Sequence, residues 1–297
     1  MKIMNEENYL LKKLIAIWQL MRLEHGFMIA IAIFIGAVIT GKELPPLYKT
    51  FFAFLTALFL EGATFSLNDY FDLEVDRRNK RIDRPLVRGD LKKRDALLIY
   101  SIFLPLGIIV SLMVNETCFI IAMINAILAT LYDVKIKEVK IVGNFYIAFI
   151  MAIPFIFGAT AVSSKIPFIV YLISLIAFLS GVGREIMKDV MDFEGDEERK
   201  TKSFPLYFGE RGANYFASLF YLSSVTMSFV PFLFDIDGEY YHDFIYLAIV
   251  LITDFLLIYT SVIIIKKTDV NTLSKFRKIS LIAIFIGLIA FLAGAFV

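Results

Sequence analysis

Asn68, Asp69, Asp72 and Asp76 close an apolar run in the stretch SLNDYFDLEVDRRNKRIDRPLVRG, residues 66–89. A second acidic set, Asp189, Asp192 and Asp196 in KDVMDFEGD (188–196), repeats the D-x-x-D-x-x-x-D spacing at an offset of 120 residues. Positions i, i+3 and i+7 share one face of a helix. Like charges stacked there repel by ~0.2–0.5 kcal/mol per i,i+4 pair, and by more where little water screens them. A bound cation removes that cost. Carboxylate oxygens suit a hard divalent ion. Mg²⁺ in particular takes one or two carboxylates and completes its shell with water and phosphate oxygens. Two facing clusters of this kind would clamp a Mg²⁺-bound diphosphate, with nearby Arg and Lys neutralising the remaining charge. The plainer alternative is that charged residues end membrane helices routinely, with their heads in water. One cluster reads that way easily. Two clusters with one spacing and one offset argue for a shared ligand.

The elements that must hold these groups are apolar. The chain has 297 residues, is 59% hydrophobic and has a mean hydropathy of +0.73, against ~45–50% apolar content in soluble domains. Nine segments of spanning length appear, near 14–40, 46–71, 94–114, 117–134, 140–162, 166–187, 211–234, 241–265 and 277–297. They are too long and too evenly apolar for barrel strands. The expected fold is therefore all-α: one polytopic domain over 1–297, with two related four-helix halves and one extra helix. With nine spans, every one of the 30 Lys and Arg except Lys42, Lys49 and Lys165 falls on one side. By the positive-inside rule the N-terminus and the loops after the acidic runs are cytoplasmic, and the C-terminus is outside. The first apolar segment lacks the form of a cleaved signal and reads as a retained helix. Net charge is +1, so no bulk field points to nucleic acid. Cys118 is the only cysteine, which excludes an intrachain disulfide. The loop DIDGEYYHD (235–243) carries no legible chemistry.

At the acidic motifs the chain resembles the UbiA superfamily of intramembrane prenyltransferases. The N-D-x-x-D-x-x-x-D signature stands intact at Asn68, Asp69, Asp72 and Asp76, followed by Asn79, Arg84, Pro85 and Gly89. The second signature stands at Asp189, Asp192 and Asp196, then Ser203, Pro205 and Gly209, with Tyr132, Lys137, Gly143 and Asn144 between the two. Lys200, Ser203 and Arg81 depart from the usual Gly, Thr and Pro of that pattern. The resemblance implies nine helices and Mg²⁺-assisted ionisation of an allylic diphosphate. It also implies transfer of the isoprenyl group to an acceptor held in the bilayer. Asp69, Asp72, Asp76, Asp189, Asp192 and Asp196 would be the metal ligands, with Asn68 in support.

The wording REIMKDVMDFEGD (184–196) is most similar to the archaeal branch that makes the second ether bond of membrane lipids. That implies geranylgeranyl diphosphate as donor and geranylgeranylglyceryl phosphate as acceptor, both met among membrane lipids. Such an acceptor carries its own phosphate and wants cations, for which Arg22, Arg77, Arg84, Lys137, Arg184 and Lys188 are candidates, with Tyr132 orienting a phosphate or shielding the cation. Three of these have a plainer alternative: Arg22 as a residue snorkelling from the end of the first helix, Arg184 as the partner of Glu185, and Tyr132 as a member of an aromatic belt; His25, three residues after Arg22, could touch substrate but reads more simply as a packing histidine. Two other functions remain open at this point. One is prenylation of an aromatic acceptor of the quinone, haem or chlorophyll type. The other is transport of an ion or phosphate along the acidic groups.

Overall fold

The computed structural model describes residues 2–78, 80–193 and 201–296, and every described element is helical. Among the described residues, eight helices are long and apolar enough to cross a membrane. A bent pair, Leu11–Met21 with Gly26–Gly41, makes a ninth span if taken as one. The chain divides into two compact units: residues 1–30 with 46–135, and 31–45 with 136–297. The halves read from the sequence follow helix order. The structural division instead passes through the second helix, so residues 31–45 join the later unit.

The first unit holds α1 (Lys2–Met21), the start of α2 (Gly26–Gly41), α3 (Leu47–Arg78), α4 (Pro85–Arg88), α5 (Lys93–Leu112) and α6 (Glu116–Val134). Without water to drive apolar side chains together, close packing of small residues must join helices in lipid. α3 follows this rule. Its buried positions include the small residues Ala53, Thr56, Gly62, Ala63 and Ser66, and the helix packs against α1, α5 and α6. Gly107 of α5 sits directly against Leu60. Tyr100 and Thr130 share a hydrogen bond of 2.9 Å between α5 and α6. At 32 residues, α3 is about 48 Å long, against ~30 Å of hydrocarbon. Its last turns, which carry the aspartates, therefore have room to project beyond the apolar slab.

Residues 14–40 are not one straight span. The helix breaks at Arg22, whose backbone is left-handed (φ 50°, ψ 44°). A 3₁₀ turn over Leu23–His25 follows, and the two pieces bend by 52°. A left-handed Arg is sterically unfavourable; its side chain supplies the compensation described below.

The second unit holds the rest of α2, α7 (Lys140–Val162), α8 (Phe168–Met191), α9 (Phe204–Ser228), the short α10 (Val230–Leu233), α11 (Phe244–Lys266) and α12 (Val270–Gly294). α2 and α7 approach backbone to backbone. A Cβ on Gly36 would strike the carbonyl of Phe155, and one on Gly158 would strike that of Ile33. α8 runs through the interior against α7 and α9, and α11 packs on α9 and α12. Interhelical hydrogen bonds pin this unit: Asn214 Nδ2 donates to the Ile264 carbonyl at 2.9 Å, and Ser224 Oγ to that of Ile176 at 3.1 Å. The loop over 235–243 is tied down as well. Lys42 donates to Asp237 at 2.7 Å and lies 3.2 Å from Glu239. Burial weighs against the ammonium, yet its hydrogen bonds and charge pairing with these two carboxylates raise its pKa.

Candidate active site

Asp69 is the anchor of the first unit. It is 2% exposed and sits on α3. Its Oδ1 accepts hydrogen bonds from Arg22 Nη2 at 2.8 Å and Arg84 Nη1 at 3.3 Å. Its Oδ2 is buried and accepts none among the described residues. Arg22 also stacks on Phe65, with its guanidinium carbon 4.1 Å from the ring centroid. It is therefore a half-buried partner of Asp69, set in place by the helix break, and not a snorkelling helix end.

Arg84 is delivered by a small device. Pro85 opens the four-residue α4 and Gly89 closes it with φ 82°. Proline tolerates the first helical position because its missing N–H would find no partner there. A left-handed C-cap favours glycine. The same device stands 120 residues on. Pro205 lies in the first turn of α9, and Gly209 breaks that helix with φ 70° and ψ 165°. A Cβ at either glycine would meet nothing within 4 Å, so backbone conformation alone requires glycine there.

Asp72 and Asp76 lie further along α3 and are half-buried. Arg77 is mostly exposed and pairs with Glu74 at 3.1 Å, outside the Asp69 cluster. Arg81 grips Asp83 with two hydrogen bonds of 2.9 and 2.8 Å. The side-chain hydrogen bond from Arg81 is the main cause that lowers the Asp83 pKa to about 2. Asn68 turns its amide nitrogen to Asp133 Oδ1 at 3.1 Å. Asp133, 1% exposed at the end of α6, escaped the sequence reading because it belongs to no acidic repeat.

In the second unit Asp189 is 4% exposed. It accepts from Asn144 Nδ2 at 2.7 Å and lies 3.5 Å from Lys140 Nζ, both on α7. α8 ends at Met191, so Asp192 is its C-cap and is exposed. The expected three-carboxylate helix face is interrupted there, because α8 ends one residue before the second aspartate. Asp196 and Asn79 lie outside the described residues. Arg184 and Lys188 both pair with Glu185, at 3.3 and 2.6 Å. Glu185 is itself 6% exposed, so it offsets part of the positive charge the sequence suggested. Tyr132 and Lys137 are half-buried, and His25 is exposed with its ring 5.6 Å from that of Phe65. Asp254, buried in mid-α11, was also missed; Ser228 Oγ lies 2.8 Å from its Oδ2.

The donors fit a hard divalent cation. They are carboxylates and a neutral amide, and one of their oxygens is buried without a donor. Among the described residues, no three His, Cys, Asp or Glu side chains converge as an all-protein metal site would need. Helix geometry explains this, since i, i+3 and i+7 stretch over about 10 Å. An ion there must complete its shell with water or substrate oxygens, as Mg²⁺ commonly does.

Long apolar helices define a polytopic membrane protein, and this one carries buried carboxylates beside paired cations. The chain belongs to the UbiA prenyltransferase family, whose family model matches residues 29–295. It is 45% identical over 281 residues to the digeranylgeranylglyceryl phosphate synthase of Archaeoglobus fulgidus, covering 95% of each chain. A solved structure of a digeranylgeranylglyceryl phosphate synthase in membranes is 34% identical, has a TM-score of 0.78, and is covered over 99% of its length by 96% of this chain. A UbiA homolog from A. fulgidus bound to DMAPP and Mg²⁺ has a TM-score of 0.63 at 20% identity, over 93% of this chain and 98% of that one. At that identity the likeness concerns the fold.

Proposed function

We propose that this chain transfers the geranylgeranyl group of geranylgeranyl diphosphate to the sn-2 hydroxyl of geranylgeranylglyceryl phosphate. The product carries the second ether bond of an archaeal membrane lipid. The observation that carries this reading is the full-length similarity to a synthase of that product. The carboxylate and guanidinium groups around Asp69 support the diphosphate chemistry.

In this reading Asp69, Asp72 and Asp76 of the first motif, and Asp189, Asp192 and Asp196 of the second, are the ligands for Mg²⁺. Bound Mg²⁺ would supply positive charge to the departing diphosphate. The chain's own groups do the remaining work. Arg22 and Arg84 already meet at one carboxylate oxygen, and each retains N–H groups for phosphate oxygens. Asn68 offers a neutral oxygen. Arg77, Tyr132, Lys137, Arg184 and Lys188 bind the phosphates of donor and acceptor. Apolar helices exclude the water that would otherwise capture the allylic cation. The acceptor hydroxyl oxygen forms the new C–O bond as the diphosphate leaves, and its proton is released. The N-terminus and the motif-bearing loops face the cytoplasm.

The deciding experiment is one reaction of purified protein with Mg²⁺ and radiolabelled geranylgeranyl diphosphate, with geranylgeranylglyceryl phosphate and 4-hydroxybenzoate in competition. The expected product is the doubly prenylated glyceryl phosphate. A prenylated aromatic product would overturn the acceptor while keeping the chemistry.

A further inference from the structure

We propose that Asp133 is a positioning residue for the reaction: it fixes which end of the Asn68 amide faces the metal and diphosphate. The proposal rests on the functional reading above, in which Asn68 supports that site. Asp133 is 1% exposed, on a different helix from every aspartate of the two motifs. Its Oδ1 receives the Asn68 amide nitrogen at 3.1 Å, between α3 and α6.

An amide has two unlike ends, one that only donates and one that only accepts. Asp133 as an acceptor can engage only the N–H end. The Asn68 carbonyl oxygen is thereby turned away from α6. Asn68, Asp72 and Asp76 are spaced i, i+4 and i+8, so they form one stripe along α3. With the carbonyl end free, this stripe offers only oxygen acceptors to a hard cation, which binds neutral amide oxygens as well as carboxylates. A reversed amide would place two N–H groups beside the cation and repel it. The two orientations have nearly the same shape, so packing cannot choose between them. A hydrogen-bond partner can. Groups that orient a ligand in this way typically change metal affinity or activity by about 10–100-fold when lost.

The test compares Asp133→Asn and Asp133→Ala with the unaltered chain, each also in an Asn68→Ala background, with Mg²⁺. An asparagine at 133 can present either its carbonyl oxygen or its N–H to Asn68, so it no longer selects one end of that amide; an alanine presents neither. Two quantities are read: KM and kcat for geranylgeranyl diphosphate across pH, and the Mg²⁺ midpoint for thermal stabilisation by geranylgeranyl thiolodiphosphate. Both variants are expected to raise the Mg²⁺ midpoint and donor KM by about tenfold or more, and to add little further loss where Asn68 is already alanine. A purely structural role would lower thermal stability and leave the Mg²⁺ midpoint unmoved, overturning the proposal. Losses that persist undiminished in the Asn68→Ala background would show that Asp133 acts by its charge and not through Asn68, and would also overturn it. Should Asp133→Ala fail to fold, Asp133→Asn decides alone: a raised midpoint that vanishes without Asn68 supports the proposal, and unchanged values sink it. If the unaltered chain neither turns over nor is stabilised by the analogue, the functional reading falls, and this inference with it.

Discussion

Asp69 and Asp189 occupy the same place in their motifs, and the two units hold them by different means. Asp69 is met by two guanidiniums brought in from a helix break and from a four-residue helix. Asp189 is met by an amide at 2.7 Å and an ammonium at 3.5 Å, both from the helix alongside. The position before each aspartate differs too. Asn68 turns to Asp133, whereas Lys188 reaches back to Glu185. Both units nevertheless keep a proline-opened, glycine-closed turn at the same offset, Pro85 with Gly89 and Pro205 with Gly209. The repeat has thus kept its acids and its backbone devices while the surrounding cations diverged. A guanidinium fork suits oxygens in a plane, while an ammonium acts as a point charge. On the proposed function, the first unit therefore suits a phosphate group with fixed orientation, and the second supplies added charge.

The largest test removes the shared feature. Asp72→Ala and Asp192→Ala should each cut turnover at least about 100-fold, with folding intact by thermal melting. EDTA should stop the reaction and Mg²⁺ should restore it; full activity in EDTA would end the metal reading. If only one aspartate mattered, the two motifs would not be functional equivalents.

Next come the cations that differ. Arg22→Lys should lower donor kcat/KM about 10-fold or more, because a lysine loses both the fork and the stack on Phe65. Lys140→Arg in the second unit should be much milder, since a 3.5 Å charge contact has little geometry to lose. Equal effects would dissolve the contrast. Asn68→Ala should fall below both aspartate variants in severity, since a neutral amide is only a supporting ligand.

Backbone tests are smaller. Gly158→Ala forces a Cβ onto the Ile33 carbonyl, and should lower stability by about 1–3 kcal/mol in a thermal or denaturant assay. Gly89→Ala meets no atom and should cost only the left-handed backbone, about 1–2 kcal/mol. The smallest effect belongs to Asp83→Asn. Arg81 lowers the Asp83 pKa in the folded protein below its unfolded value. Its contribution is therefore present above the unfolded pKa and fades as pH falls from about 4 toward 2. The pair is exposed, so the change should be barely measurable at neutral pH.

Much of the protein was determined by sequence alone. Runs of apolar residues long enough to cross a bilayer dictate helices, because lipid offers the backbone no other hydrogen-bond partner. The acidic repeat pointed to a bound cation, since charge at such places is costly without a ligand. Pro85, Gly89, Pro205 and Gly209 were legible as motif residues, though not as matching turns. Only the tertiary structure decided the partners. Arg22 and Arg84 reach Asp69 across 47 and 15 residues of chain, and Asp133 reaches Asn68 across 65. No local periodicity encodes such pairings, which depend on how helices pack. The helix break at Arg22 was hidden for the same reason: a long-range ion pair, and not a proline or glycine, fixes its left-handed backbone. The end of α8 at Met191 likewise separated Asp192 from the face that its spacing had implied.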